Sequence, residues 1–223
     1  MENLYKWFKV ELTYSSNAIE GNTLTKSETA LVVEEGITIK GKPVKDHLEA
    51  INYAFALDFV KELAVKKKED ITLSDILDIH RLVLRTIDDA NAGRLRKIAV
   101  KISGSDVILP DPLNVPDLMN EFIVWLHSTN EHPVKVAVDA HFKLVAIYPF
   151  VDGNGRTARL FMNLILTAYG YPPAIIKADE RVAYISSLEK VHQTGNLEDF
   201  YTLIFDAVDK SLDIYLDAAQ KTL

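Results

Sequence analysis

Asp152, Asn154, Arg156 and Arg159 stand in one short stretch together with Gly153 and Gly155, and those types in that order suit phosphate chemistry. Glycines let backbone amides converge without side-chain obstruction, and the free N–H groups at a helix start favour anions. Arg156 and Arg159 are three apart, so they share one face of a first helical turn. Two guanidiniums beside a ring of amides make a polyphosphate cradle. Taken singly the pieces say less: Gly-x-Gly is ordinary turn chemistry, Asp152 is a turn or N-cap aspartate as readily as a metal ligand, and the arginines could bridge surface carboxylates. The ordered combination is what points to a nucleotide.

The elements that must hold this stretch follow from its neighbours. A helix runs through Ala146 and has to end near Tyr148, because Pro149 disfavours helical geometry at the residue before it. A second helix starts near Asn154 or Gly155. Three- and four-residue spacing of apolar residues predicts helices over 46–64, 74–86 (with Ser74 as N-cap), 115–128, 134–147, 155–169, 179–193 and 197–218. One segment breaks the pattern. Within 97–109, Ile98, Val100 and Ile102 alternate before Gly104, and Val107 and Ile108 follow, which predicts a β-hairpin around a Ser-Gly-Ser-Asp turn. Pro110 and Pro112 stop it from extending. A lone hairpin in a mainly α bundle would lie on the surface as a flap. Residues 1–223 contain no repeat and no Pro/Gly/Ser linker, so a single domain is expected.

Composition narrows the chemistry further. The 223 residues are 48% hydrophobic and 26% charged, as in an ordinary globular protein. With no cysteine, disulfides, thiolate metal sites and cysteine nucleophiles are excluded. No apolar run is long enough to span a bilayer, and residues 1–6 have no signal-peptide character, so a soluble cytoplasmic protein is expected, with no membrane partner. The net charge of −7 argues against a nucleic-acid partner. The one basic run, Lys66-Lys67-Lys68, is followed at once by Glu69 and Asp70 and reads as a solvated helix end. The six histidines form no His-x-x-x-His pair, which argues against metal hydrolysis.

HFKLVAIYPFVDGNGRTARL (141–160) resembles the Fic family signature H-P-F-x-[D/E]-G-N-G-R-x-x-R, and the likeness continues through MNLILTAYGYPP and upstream into the hairpin region. The resemblance implies a Fic-fold helical bundle that moves AMP from ATP to a Ser, Thr or Tyr hydroxyl of a target protein. On that footing Asp152 would hold Mg²⁺ across the α- and β-phosphates. Gly153, Asn154 and Gly155 would form the anion hole, Arg156 would contact phosphate, and Arg159 would hold the γ-phosphate. The flap at 97–109 would align an extended target segment by strand addition. Doc-type phosphate transfer is disfavoured by Gly155 and by the N-terminal helix. Related domains often dimerise, which leaves a homodimer open.

The N-terminal region 1–24 carries a second likeness. Ser16, Glu20 and Gly21 match the family's inhibitory pattern [S/T]-x-x-x-E-[G/N], the class that includes the animal endoplasmic-reticulum Fic enzyme. By resemblance Glu20 would salt-bridge Arg159 and keep ATP out of its productive pose, and would also support AMP removal. A carboxylate and a phosphate compete for the same guanidinium, and residues four apart share a helical face. Without the resemblance these residues read as a helix C-terminus with Gly21 at C′. Around the adenine, Tyr184, Ile185, Leu188 and His192 are candidates by position, with core packing as the equal alternative.

Where the signature has its histidine, this chain has Tyr148. That histidine would take the proton of the attacking hydroxyl, and a base needs a pKa near the working pH. A phenol starts near 10, so about one in a thousand is ionised at neutral pH. His141 lies seven residues upstream, two turns away, and matches the family's earlier, structural histidine. Three readings of Tyr148 stand: an introduced His→Tyr change, a naturally silent nucleotide-binding regulator, or a variant chemistry with Tyr148 as AMP acceptor.

Overall fold

A computed structural model describes residues 2–220, and nine α-helices order them. These are α1 (Glu2–Ile19), α2 (Lys26–Glu35), α3 (Val44–Leu63), α4 (Leu73–Leu84), α5 (Val115–Ser128), α6 (Pro133–Ile147), α7 (Asn154–Ala168), α8 (Arg181–Thr194) and α9 (Glu198–Gln220). The α6–α7 hairpin is the axis of the bundle. Helix α3 packs against α1, α2, α4 and α7, α5 lies on α6, and α8 pairs with α9. Leu160, Phe161, Met162, Leu164 and Leu166 of α7 are all fully buried, the mark of a helix surrounded by others. A helix held on all sides gives a rigid base for the groups on its first turn.

Local chemistry sets the element ends. Tyr148 closes α6 in the left-handed region (φ 51°, ψ 59°), and its N–H donates to the Leu144 carbonyl at 3.0 Å. Gly153 opens α7 at φ 77°, a conformation that glycine adopts without penalty. Helix α4 starts one residue before the expected Ser74. Thr72 is its N-cap, and the Thr72 hydroxyl and the Asp75 carboxylate each accept from the other's N–H. Helix α2, which the sequence spacing did not predict, has the same box between Thr25 and Glu28. It packs on α1 and shares with α3 a small separate core of Leu24, Val32 and Ala50.

The expected β-hairpin does not form, and no strand occurs among the described residues. Residues 97–109 run as two irregular arms around a turn at Ser103 and Gly104, where Ser105 N–H donates to the Ile102 carbonyl at 3.2 Å. The alternating apolar residues share no buried face: Ile98 is 59% exposed and Ile108 95%, while Ile102 and Val107 are half-buried against a cavity. A two-stranded ribbon without a buried face is marginal. The carbonyls of Ile98 and Pro110 bond instead to the Arg96 guanidinium at 3.2 and 2.6 Å. No helix among the described residues is long and apolar enough to cross a membrane.

Candidate functional site

The α6–α7 turn is shaped by its own side chains. The Asn154 amide accepts from the Phe150 N–H and donates to the Phe150 carbonyl, both at 2.9 Å, and closes the loop on itself. The side chain of Asn154 therefore shapes the turn itself. The Phe150 ring stacks on His80 of α4, with centroids 3.6 Å apart and planes 6° from parallel. Gly93 N–H donates to His80 Nδ1 at 3.0 Å, so the proton sits on Nε2, which donates to the Asp152 carbonyl at 3.0 Å. Burial pulls the His80 pKa down to about 4, so the imidazole is neutral at pH 7. No side chain caps the start of α7, and the N–H groups of its first turn lack intrahelical acceptors.

Two arginines flank that opening, each already holding a carboxylate. Arg156 Nη1 donates to Glu49 Oε1 of α3 at 2.9 Å, and Nη2 reaches Asp152 Oδ2 at 3.3 Å. Its Nε is buried and has no acceptor. Arg159 is 4% exposed and uses its whole guanidinium. Nε donates to Ser16 Oγ at 2.8 Å and Nη2 to the Ser16 carbonyl at 3.0 Å and Glu20 Oε1 at 2.6 Å; Nη1 donates to the Tyr184 hydroxyl at 3.2 Å. Gly21 ends α1 at φ 93° with its N–H on the Ala18 carbonyl. The turn leaves Glu20 lying over the α7 start. A Cβ at Gly155 would come within 2.5 Å of Glu20 Oε1, so only glycine leaves the carboxylate that position.

A cavity of 140 Å³ opens beside these groups, lined by Tyr148, Gly155, Arg159 and Glu20 and, from α8, by Tyr184, Ile185, Leu188 and His192. The four α8 residues do line the space beside the α7 start. Tyr184 is also a strut: it is 1% exposed, and its hydroxyl sits 3.0 Å from His141 Nε2 besides accepting from Arg159. His141 is fully buried, and burial, with the nearby Arg159 charge, pulls its pKa to about 3. It carries no proton charge and stands away from the opening. Burial raises the Tyr148 phenol above its ordinary value, and the Glu20 and Asp152 carboxylates push the same way.

No group of three acidic or histidine side chains gathers among the described residues. The Asp152 carboxylate is 54% exposed. One exposed carboxylate beside open helix-start amides is a donor set that fits Mg²⁺, which usually keeps several of its waters. Glu49, His80 and Arg96 are the site residues that motif spacing missed. Each lies far along the chain from the α6–α7 turn, and only a buried charge or a histidine on an apolar face hinted at a partner.

A family model described as the Fic/DOC family matches residues 70–166. The chain is a member of the Fic/DOC family. It is 39% identical over 215 residues to Protein adenylyltransferase Fic of Aedes aegypti, covering 95% of this chain and 42% of that protein. To the protein of the same name from Drosophila virilis it is 42% identical over 206 residues, with 91% and 42% covered. The chain thus spans well under half the length of these curated relatives. Among solved structures it resembles a Fic-1 fragment from C. elegans, with TM-score 0.86, 33% identity and coverage of 97% and 64%. It also resembles a Fic domain containing signaling protein from Bacteroides thetaiotaomicron, with TM-score 0.85, 26% identity and coverage of 99% and 90%.

Proposed function

We propose that this chain is an ATP-binding AMP-transfer domain, restrained by Glu20 and slow in transfer because Tyr148 stands at the base position. The observation that carries the reading is the Glu20 carboxylate, 2.6 Å from Arg159 and over the first turn of α7, where a phosphate would otherwise sit. The first-turn amides, Arg156 and Arg159 bind the phosphates, and the α8 wall takes the nucleoside. Asp152 would hold Mg²⁺, which when bound offsets phosphate charge. The arms of 97–109, with Ile98 and Ile108 outward, offer backbone for a target segment to pair with.

In transfer, the target hydroxyl oxygen bonds to the α-phosphorus as the bond to the bridging oxygen of the β-phosphate breaks, and pyrophosphate leaves. The hydroxyl proton must pass to the group at position 148. A phenol whose pKa is raised keeps its own proton at neutral pH and accepts another poorly. The same observation favours a second reading, a nucleotide-binding regulator without transfer, in which Glu20 serves AMP removal.

The test is transfer of labelled AMP from α-labelled ATP with Mg²⁺ to the protein itself and to lysate. Three forms are compared: the chain as it stands, Tyr148→His, and Tyr148→His with Glu20→Gly. Strong labelling by the double variant alone supports both the restraint and the base argument. Strong labelling by the chain as it stands sinks the base argument. ATP binding with no labelling in any form favours the regulator.

A further inference from the structure

Arg96 is 2% exposed, yet its guanidinium meets only backbone carbonyls. Nε donates to the Tyr148 carbonyl at 2.8 Å, Nη1 to Ile98 at 3.2 Å and Nη2 to Pro110 at 2.6 Å. Its own N–H donates to the Pro149 carbonyl at 2.8 Å. No carboxylate lies within ion-pair distance of it among the described residues. The Asp111 carboxylate acts on this charge only from beyond ion-pair distance, so the cost of burying it falls mainly to the three carbonyls.

The three acceptors belong to three places. Ile98 and Pro110 bracket the flap, whose arms form no ladder with each other. Tyr148 is the residue at the base position, held at φ 51°, where few non-glycine residues sit. One planar fork therefore joins both flap ends to the carbonyl of that strained residue. A lysine, with a single compact ammonium, cannot reach all three.

We infer that Arg96 is a positioning residue that registers the flap, and any segment paired with it, against the backbone of residue 148. The consequence for transfer rests on the AMP-transfer reading given above. Arg96 lines neither the 140 Å³ cavity nor the first turn of α7, but Ile102, Ser105 and Val107 of the flap it holds do line that cavity. Its effect therefore falls first on how the acceptor is placed and reaches the nucleotide only through the flap.

Arg96→Lys and Arg96→Met are compared with the parent by the carbonyl carbon resonances of Ile98 and Pro110, by the fluorine resonance of a fluorotyrosine placed at 148, and by ATP affinity. Arg96→Lys keeps the buried charge and decides the matter if Arg96→Met does not fold. The expected result is that both carbonyl resonances and the fluorine resonance shift together, with ATP affinity falling by less than about threefold. In the Tyr148→His, Glu20→Gly background, self-labelling should slow about tenfold or more, a larger change than that in the KM for ATP and on the scale of a small misplacement of reacting groups. Shifted carbonyl resonances with an unmoved resonance at 148 would overturn the inference, as would unmoved carbonyl resonances or a loss of ATP affinity equal to the loss of labelling. If no form labels at all, the transfer reading fails, while the carbonyl and fluorine resonances still decide whether Arg96 makes the tie.

Discussion

Glu20 Oε1 stands 2.5 Å from the point where a side chain on Gly155 would begin, so the carboxylate and the α6–α7 turn are shaped to each other. Glycine at 155 leaves room for one negatively charged occupant. In this structure that occupant is a carboxylate of the same chain.

Gly155→Ala is therefore expected to displace the Glu20 carboxylate tip and to cost about 1 kcal/mol, the scale of a partly exposed ion pair. In the Glu20→Gly background the cost should fall to less than half, because the far wall of the collision is gone. Urea unfolding of the four forms gives the coupling as a double-mutant cycle. Both Gly155→Ala forms should bind ATP more weakly.

Removing the Glu20 carboxylate alone should move two quantities in opposite directions. Glu20→Gly loses a partner of Arg159 that is 36% exposed, so the stability loss is small, about 1 kcal/mol after discounting for solvent. ATP affinity should rise about tenfold, since a phosphate no longer competes with a tethered carboxylate for the guanidinium. Calorimetric titration with ATP and Mg²⁺ checks this. Equal affinity in the two forms would remove Glu20 from the binding argument.

Glu49 is the anchor of Arg156 and also accepts from Asn22 at 2.9 Å. Glu49→Ala removes the buried one of the two carboxylates on Arg156, leaves Asp152 at 3.3 Å, and is expected to cost about 1–3 kcal/mol. Glu49→Gln keeps an acceptor oxygen and should cost clearly less. The difference between the two unfolding free energies is the measurement.

Acid should unfold this protein earlier than its carboxylates alone would require. His80 and His141 have folded pKa values of about 4 and about 3, below the ordinary histidine value. Between the two ranges the unfolded chain binds protons that the folded chain refuses, so stability falls as pH drops below about 6.5. By pH 5 each histidine should have withdrawn about 2 kcal/mol. Urea midpoints from pH 7.5 to 5 test the slope, and histidine proton resonances should show neither residue titrating above pH 5.

Much of the helical bundle was readable because apolar residues recur at helical spacing in long segments. The ends were less so. Thr72 rather than Ser74 caps α4, since a capping box needs a carboxylate three residues on and Asp75 stands at that distance only from Thr72. Helix α2 is short and weakly amphipathic, and its packing depends on contact with α1 and α3. The alternation at Ile98, Val100 and Ile102 looked like a strand, but spacing does not reveal whether a face will be buried. At the site, the turn from Asp152 to Arg159 was legible because its members are neighbours in the chain. Glu49, His80 and Arg96 were not, since a long-range pairing leaves no mark on local spacing. Tyr184 was read as part of the nucleoside wall, and its hold on Arg159 and His141 appears only in three dimensions.

The two arginines at the α7 start carry their own counter-ions from elsewhere in the fold, Glu49 of α3 for one and Glu20 in the turn after α1 for the other. A resting site built this way shows the surroundings little bare positive charge. Chloride or free phosphate would have to dislodge a carboxylate fixed to the fold, and a small ion has few contacts to offer in exchange. A molecule with several linked phosphates and a flat base has many. Selectivity for it then begins with exclusion, before any base-specific contact is made.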